Sequence, residues 1–225
     1  MSPNHRFRLL AFDFDGTLAD SSQNIYAAAR YAFAKAGLPY PGDLVVGDTV
    51  GLELMDCAQR WLPEGASFGE IQEMASLYKE GFIHIRKLDD FHEPLFDGVH
   101  DALGALAHEA VFMGVCTGKN RHGLDHMLDY HGIAQHFNTL QTPDTNRGKP
   151  APDMMISAMN ETGVQTDQAI MIGDTTFDMM TARSAGALAI GVSYGHHRKE
   201  SLIEAGASLI IDHISDLPRA LAELS

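Results

Sequence analysis

The feature that most constrains this chain is a short apolar run that ends in two carboxylates. Arg8-Leu9-Leu10-Ala11-Phe12 leads directly into Asp13-Phe14-Asp15-Gly16-Thr17-Leu18. A continuous apolar run bounded by turn residues reads as a strand buried on both faces, the kind found in parallel sheets. Residues two apart on an extended strand point the same way, so Asp13 and Asp15 can converge at its C-terminal end. Open α/β sheets bind ligands at that edge. Two crowded carboxylates repel, and one takes up a proton unless a cation lies between them. Mg²⁺, a hard ion that prefers oxygen ligands, suits such a pair. Gly16 lets the backbone turn sharply away. The same residues also serve as ordinary turn formers after a strand, so the choice rests on what the remaining chain supplies.

After Leu18 the pattern changes to helix. Ser21 or Ser22 caps a first helix whose apolar positions are Ile25, Ala28, Ala29, Ala32, Phe33 and Ala36, and Gly37 and Pro39 stop it. Further helices are expected over about 50–61 and 68–85, with no alternating strand before Asp89. From Glu93 strands and helices alternate. Helices are expected from 98 toward Glu109, over 120–131, 152–162, 176–185 and 216–224. Strands are expected over 111–116, 137–141, 169–172, 188–192 and 208–211. This order predicts an α/β fold, a doubly wound parallel sheet with an inserted all-helical block. The expected division is a core of residues 1–19 and 91–225 around a helical cap of residues 20–90. Right-handed crossovers put all strand C-termini on one rim.

Composition narrows the partners. A formal charge of −14 argues against a nucleic-acid backbone, which calls for a basic face. No run is long and apolar enough for a membrane span, and Met1-Ser2-Pro3-Asn4-His5-Arg6 lacks the apolar segment of a signal peptide. Cys57 and Cys116 lie far apart, which fits a reduced, cytoplasmic protein. Any phosphate site in so acidic a chain must be made locally positive.

Three further stretches lie where such a sheet would present them. Thr117-Gly118-Lys119-Asn120 ends one strand and opens a helix. Thr117 and the free N–H groups there suit a phosphate oxygen, or Thr117 caps the helix. Lys149 lies in Arg147-Gly148-Lys149-Pro150-Ala151-Pro152-Asp153, a loop stiffened by prolines. A lysine held on such a loop is a good point charge for a phosphoryl group, where an ordinary lysine is solvated. Gly173-Asp174-Thr175-Thr176-Phe177-Asp178 follows another apolar strand. Asp178 lies one helical turn beyond Asp174 and either faces the same rim or complements the helix dipole. The chain contains neither G-x-x-x-x-G-K-[ST] nor G-x-G-x-x-G.

Taken in order, D-x-D-G-T-L, the threonine after a strand, G-K-P-x-P-D and G-D-x-x-x-D resemble the four motifs of the haloacid dehalogenase superfamily of phosphotransferases. The resemblance covers roughly residues 6–20 and 90–225, and the helical block sits where these enzymes carry a cap. It implies that Asp13 is the nucleophile and that Asp15 is the general acid and base. It also implies Mg²⁺ held by the Asp13 side chain, the Asp15 carbonyl and Asp174, with Asp178 in support. Lys149, Thr117 and the N–H groups of Phe14, Asp15 and Gly118 would bind the phosphoryl group. The dehalogenase branch lacks an aspartate at the position of Asp15, so the resemblance favours phosphoryl transfer. A phosphatase resembling the phosphoglycolate phosphatases is the leading expectation, acting on a small phosphorylated metabolite as a monomer or homodimer. Alternatives are a sugar phosphomutase of the same superfamily and a non-enzymatic phosphate-binding or regulatory protein. A receiver domain fits less well, since its phosphorylated aspartate lies on a later strand.

Two features stay open at this point. Gly47-Asp48-Thr49-Val50-Gly51 either contributes the Thr49 hydroxyl to substrate or starts a helix with Thr49 as its cap. The twelve histidines show no clear two-His spacing with a carboxylate partner and read as solvated or locally hydrogen-bonded, the alternative being that His196 or His197 reaches the rim from the loop after the 188–192 strand.

Overall fold

The protein is described here by a computed structural model, which covers residues 6–107 and 111–224. Strand β1 (Leu9–Phe12) is buried at every position. It lies inside a six-stranded sheet with β2 (Phe112–Cys116), β3 (Thr139–Gln141), β4 (Ala169–Gly173), β5 (Leu188–Val192) and β6 (Leu209–Ile211). The order across the sheet is β3-β2-β1-β4-β5-β6, and every neighbouring pair is parallel. Phe12 pairs with Val115 on one side and Ile172 on the other. Chain connections therefore leave β1 in both directions, which makes its C-terminal end the switch point where such sheets bind ligands. Asp13, Thr117 and Asp174 each follow the last residue of one of these three adjacent strands.

The period of two along β1 divides the core. Leu10 and Phe12 join one apolar cluster with α5 (Val99–Leu106), α6 (Arg121–Tyr130) and α10 (Leu217–Glu223). Leu9 and Ala11 join the other, with α7 (Asp153–Thr162), α8 (Thr176–Ala185) and α9 (Lys199–Ala205). The doubly wound α/β sheet that the alternation of elements predicts is thus the observed architecture. Between β1 and the rest of the sheet come α1 (Ser22–Ala36), α2 (Asp43–Gly47), α3 (Leu54–Trp61) and α4 (Phe68–Ile85), which share a third cluster. Phe177 of α8 belongs to that cluster too, so the helical block packs on the sheet's rim. Its two linkers run side by side: Asp20 N donates to Pro94 O at 2.8 Å and Phe96 N to Leu18 O at 3.0 Å.

The helix expected over 50–61 begins only at Leu54. Gly51 has φ 96°, which no helix uses, and the stretch before it turns instead. The short helices α2 and α9 were not expected; each spans too few residues to present a periodic face. The helix expected from 98 ends at Leu106, and Glu109 lies outside the described residues.

Candidate active site

The centre of the site is a buried cluster of three aspartates. Ligand-capable oxygens of Asp13, Asp174 and Asp178 all lie within 4.8 Å of one another. Lys149 reaches into this cluster from the loop before α7. Its ammonium lies 2.9 Å from Asp13 Oδ1 and 2.6 Å from Asp178 Oδ1, and the side chain is fully buried. Burial opposes its charge, but the two carboxylates more than offset this and raise its pKa. Asp13 Oδ1 also accepts the Phe14 N–H at 2.7 Å. Asp13 Oδ2, by contrast, is buried and has no hydrogen-bond partner among the described residues. Burial is the main influence on Asp13 and pushes its carboxyl up to about 8; Lys149 pulls it down, while Asp178 and Asp174 push it further up.

Asp178 does two jobs. Its Oδ2 accepts the Thr175 N–H at 2.9 Å and the Thr175 hydroxyl at 2.7 Å, closing a capping box on α8. Its Oδ1 anchors Lys149. Asp174 is held from two sides. Thr17 Oγ1 donates to its Oδ1 at 2.8 Å, and the His196 backbone N–H donates to Oδ2 at 2.8 Å. His196 Nδ1 meets the same oxygen at 2.8 Å. Burial works against the Asp174 anion, yet these contacts hold its carboxyl below the usual range. Burial likewise opposes the His196 cation, and Asp174 raises its pKa in spite of it. The packing leaves no room for a side chain at Gly16, whose Cβ would lie 2.3 Å from Asp174 Oδ2.

The residues present fit a metal ion. Asp13 and Asp178 share the one Lys149 ammonium, so negative charge is left over, and oxygens of Asp13, Asp174 and Asp178 lie close enough together for one ion. A set made only of carboxylate oxygens suits a hard divalent cation.

An aspartate at the end of a central parallel strand, a buried lysine on it and two further acids after β4 form a specific combination, and the comparison with known families agrees with it. Residues 10–192 match the family described as haloacid dehalogenase-like hydrolase. The chain belongs to this family. Phosphoglycolate phosphatase 1 of Pseudomonas aeruginosa is 27% identical over 216 residues, which cover 93% of this chain and 78% of that protein. The phosphoglycolate phosphatase of Escherichia coli O157:H7 is 29% identical over 247 residues, 98% of this chain and 95% of its own. A hydrolase from Pseudomonas syringae has the same fold, with a TM-score of 0.85 at 22% identity over 97% of this chain and 99% of that one.

In this haloacid dehalogenase-like hydrolase the other residues singled out from the sequence lie as follows. Asp15 points its carboxylate to Lys119, at 2.9 Å, and stands apart from the aspartate cluster. Thr117 is buried, and its hydroxyl accepts the Lys119 N–H at 3.3 Å. Asn120, not Thr117, is the N-cap of α6. Gly118 touches the helical block: a Cβ there would lie 2.4 Å from the Leu52 carbonyl oxygen. Thr49 is buried inside the block, donating to Val46 O at 2.7 Å and accepting the Trp61 indole N–H at 2.8 Å. The structure thus brings Asp13, Lys149, Asp174 and Asp178 into one cluster and engages the Thr49 hydroxyl elsewhere.

Sequence reasoning missed Lys119 and Glu93 and left His196 open. A lysine two residues beyond Thr117, at the mouth of a helix that opens on the rim, was the available signal for Lys119. Glu93 stands alone in a linker and carries no motif.

Proposed function

We propose that the chain is a Mg²⁺-dependent phosphoric monoester hydrolase that works through an aspartyl-phosphate on Asp13. The observation that carries this reading is the state of the Asp13 carboxylate. One oxygen is fixed by Lys149 and the Phe14 N–H, and the other is buried and meets no donor among the described residues. Such an oxygen is available to attack phosphorus, and the buried Lys149 ammonium lies beside it to offset charge on the transferring group. Attack forms an Asp13–phosphorus bond and breaks the ester P–O bond. The Asp15 carboxyl gives its proton to the leaving oxygen, and the alcohol departs. Water then attacks the aspartyl-phosphate, losing its proton to Asp15, and inorganic phosphate leaves with Asp13 restored. Mg²⁺, when bound, supplies neutralising charge at the phosphoryl oxygens. Asp13 and Asp174 would hold it, with Asp178 keeping Lys149 in place.

The helical block of residues 20–90 acts in this reading as a cap, with the turn at Gly51–Leu52 seated against Gly118. Closure of such a cap excludes water during transfer. The relatives named phosphoglycolate phosphatase make phosphoglycolate the first ester to test. Both cysteines are free and buried, which supports a reducing, cytoplasmic setting.

The test is phosphate release from phosphoglycolate, sugar phosphates, nucleoside monophosphates and pyrophosphate, with and without Mg²⁺, beside an Asp13→Asn control. Mg²⁺-dependent release that the control abolishes supports the reading. Release that survives in Asp13→Asn would overturn it.

A further inference from the structure

Lys119 makes an interaction that the phosphoryl chemistry above does not use. Its ammonium lies 2.9 Å from Asp15 Oδ1 and 3.7 Å from Glu93 Oε1. Its side chain is 9% exposed and that of Glu93 is fully buried. The Phe14 ring, on the sheet's rim, has its centroid 5.7 Å from the ammonium, and the Phe82 ring of α4 has its centroid at 5.5 Å. The charge therefore sits where rim, helical block and linker meet.

Glu93 belongs to the linker that returns from the helical block. Asn24 of α1 holds it there, donating through Nδ2 to Glu93 Oε2 at 3.1 Å and to His92 O at 3.0 Å. Its other oxygen, Oε1, is buried, has no hydrogen-bond partner among the described residues and faces Lys119. The two contacts of the ammonium differ in kind. At 2.9 Å the bond to Asp15 is a charge-assisted hydrogen bond, whereas 3.7 Å to Glu93 is charge attraction alone. A buried cation of this sort is tolerated only while both carboxylates stay where they are.

We propose that Lys119 is a positioning residue for Asp15, and that Glu93 ties Lys119 to the linker. Asp15 is then aligned when the helical block is seated and released when it lifts. This rests on the reading of Asp15 as the acid and base given above.

Leaving-group chemistry separates a positioning role from other roles. An alkyl alcohol leaves phosphorus only if its oxygen is protonated as the bond breaks. The p-nitrophenolate anion leaves without that proton. A misaligned Asp15 therefore slows alkyl esters and spares p-nitrophenyl phosphate. The quantity to compare is kcat/KM, which reports transfer to Asp13 and excludes the later hydrolysis common to all esters. Glycerol 3-phosphate and p-nitrophenyl phosphate both lack a second anion, so charge recognition of the leaving group does not enter.

The full-length protein is assayed with Mg²⁺ as wild type, Lys119→Met, Lys119→Arg, Glu93→Gln and Asp15→Asn. Lys119→Met is expected to lower kcat/KM for glycerol 3-phosphate by about 10- to 100-fold and for p-nitrophenyl phosphate by no more than about threefold. Lys119→Arg keeps a cation and recovers part of the loss. Glu93→Gln, which keeps an acceptor for Asn24, shows the same alkyl-selective loss at about 3- to 10-fold, and adding it to Lys119→Met causes little more. Asp15→Asn is the reference and shows the largest alkyl-selective loss. Equal losses on both esters for Lys119→Met, while Asp15→Asn stays alkyl-selective, would overturn the positioning role and leave the Asp15 reading intact. Lack of selectivity in Asp15→Asn would overturn both. If Lys119→Met does not fold, Glu93→Gln decides by the same criterion.

Discussion

A single methyl group at Gly118 tests whether seating of the helical block aligns the site. Gly118 lies between Thr117 and Lys119 on the rim, and its φ is not positive, so alanine is compatible with its backbone. Space is the obstacle. A Cβ at Gly118 would lie 2.4 Å from the Leu52 carbonyl oxygen and 2.9 Å from that of Gly51, whereas ordinary contact begins at 3.4 Å. Both obstructing atoms are backbone, so no side chain can swing away. The Gly51–Leu52 turn must retreat by about 1 Å, and a misplacement of that size at a reacting site costs about 100-fold in rate. That is about 2.7 kcal/mol of transition-state stabilisation. Stability should change little, because the block can lift without unfolding. The assay is kcat/KM on the preferred ester together with urea unfolding, for wild type and Gly118→Ala. Gly104→Ala, in α5, is the control, since a Cβ there meets nothing within 4 Å among the described residues. It should leave activity unchanged and add about 0.5–1 kcal/mol of stability. Wild-type kcat/KM in Gly118→Ala would refute the reasoning.

Three further outcomes follow from the geometry. Lys149→Met leaves the buried carboxylates of Asp13 and Asp178 without their cation and should cost about 3–5 kcal/mol of folding stability in Mg²⁺-free urea titrations; a loss below about 1 kcal/mol would contradict the buried pairing. Mg²⁺ at about 100 times its Kd should stabilise the wild type by about 2.7 kcal/mol, read as a rise in Tm, and the same rise in Asp174→Asn would remove Asp174 from the metal's ligands. Thr49→Val deprives the Trp61 N–H of its acceptor and should cost about 1–3 kcal/mol in stability with KM unchanged; a raised KM at unchanged stability would put the Thr49 hydroxyl on substrate instead.

What the sequence made legible was what local patterns encode. Apolar runs ending in Asp13, Thr117 and Asp174 marked three strands, and parallel topology then set those residues side by side. Gly37, Gly163 and Gly186 marked helix ends, and each adopts the left-handed conformation that stops its helix. The two readings of Asp178, rim acid or helix-end charge, prove compatible, because its two oxygens serve Lys149 and the α8 cap separately. The unread part is long-range. Asp15 and Lys119 are 104 residues apart, and only the adjacency of β1 and β2 brings them together. The opening of α3 was displaced because Gly51 and Leu52 are set against the rim, a tertiary contact that helical periodicity cannot express.

The central claim is that Asp13 becomes phosphorylated during turnover. The most direct measurement is a rapid quench of the enzyme with its preferred ester and Mg²⁺, followed by borohydride reduction and peptide mass spectrometry. Reduction converts an aspartyl-phosphate to homoserine, and the account predicts that change at Asp13 alone, in an amount that rises and decays with turnover. Turnover with an unmodified Asp13 at every quench time, or modification at another carboxylate, would contradict it.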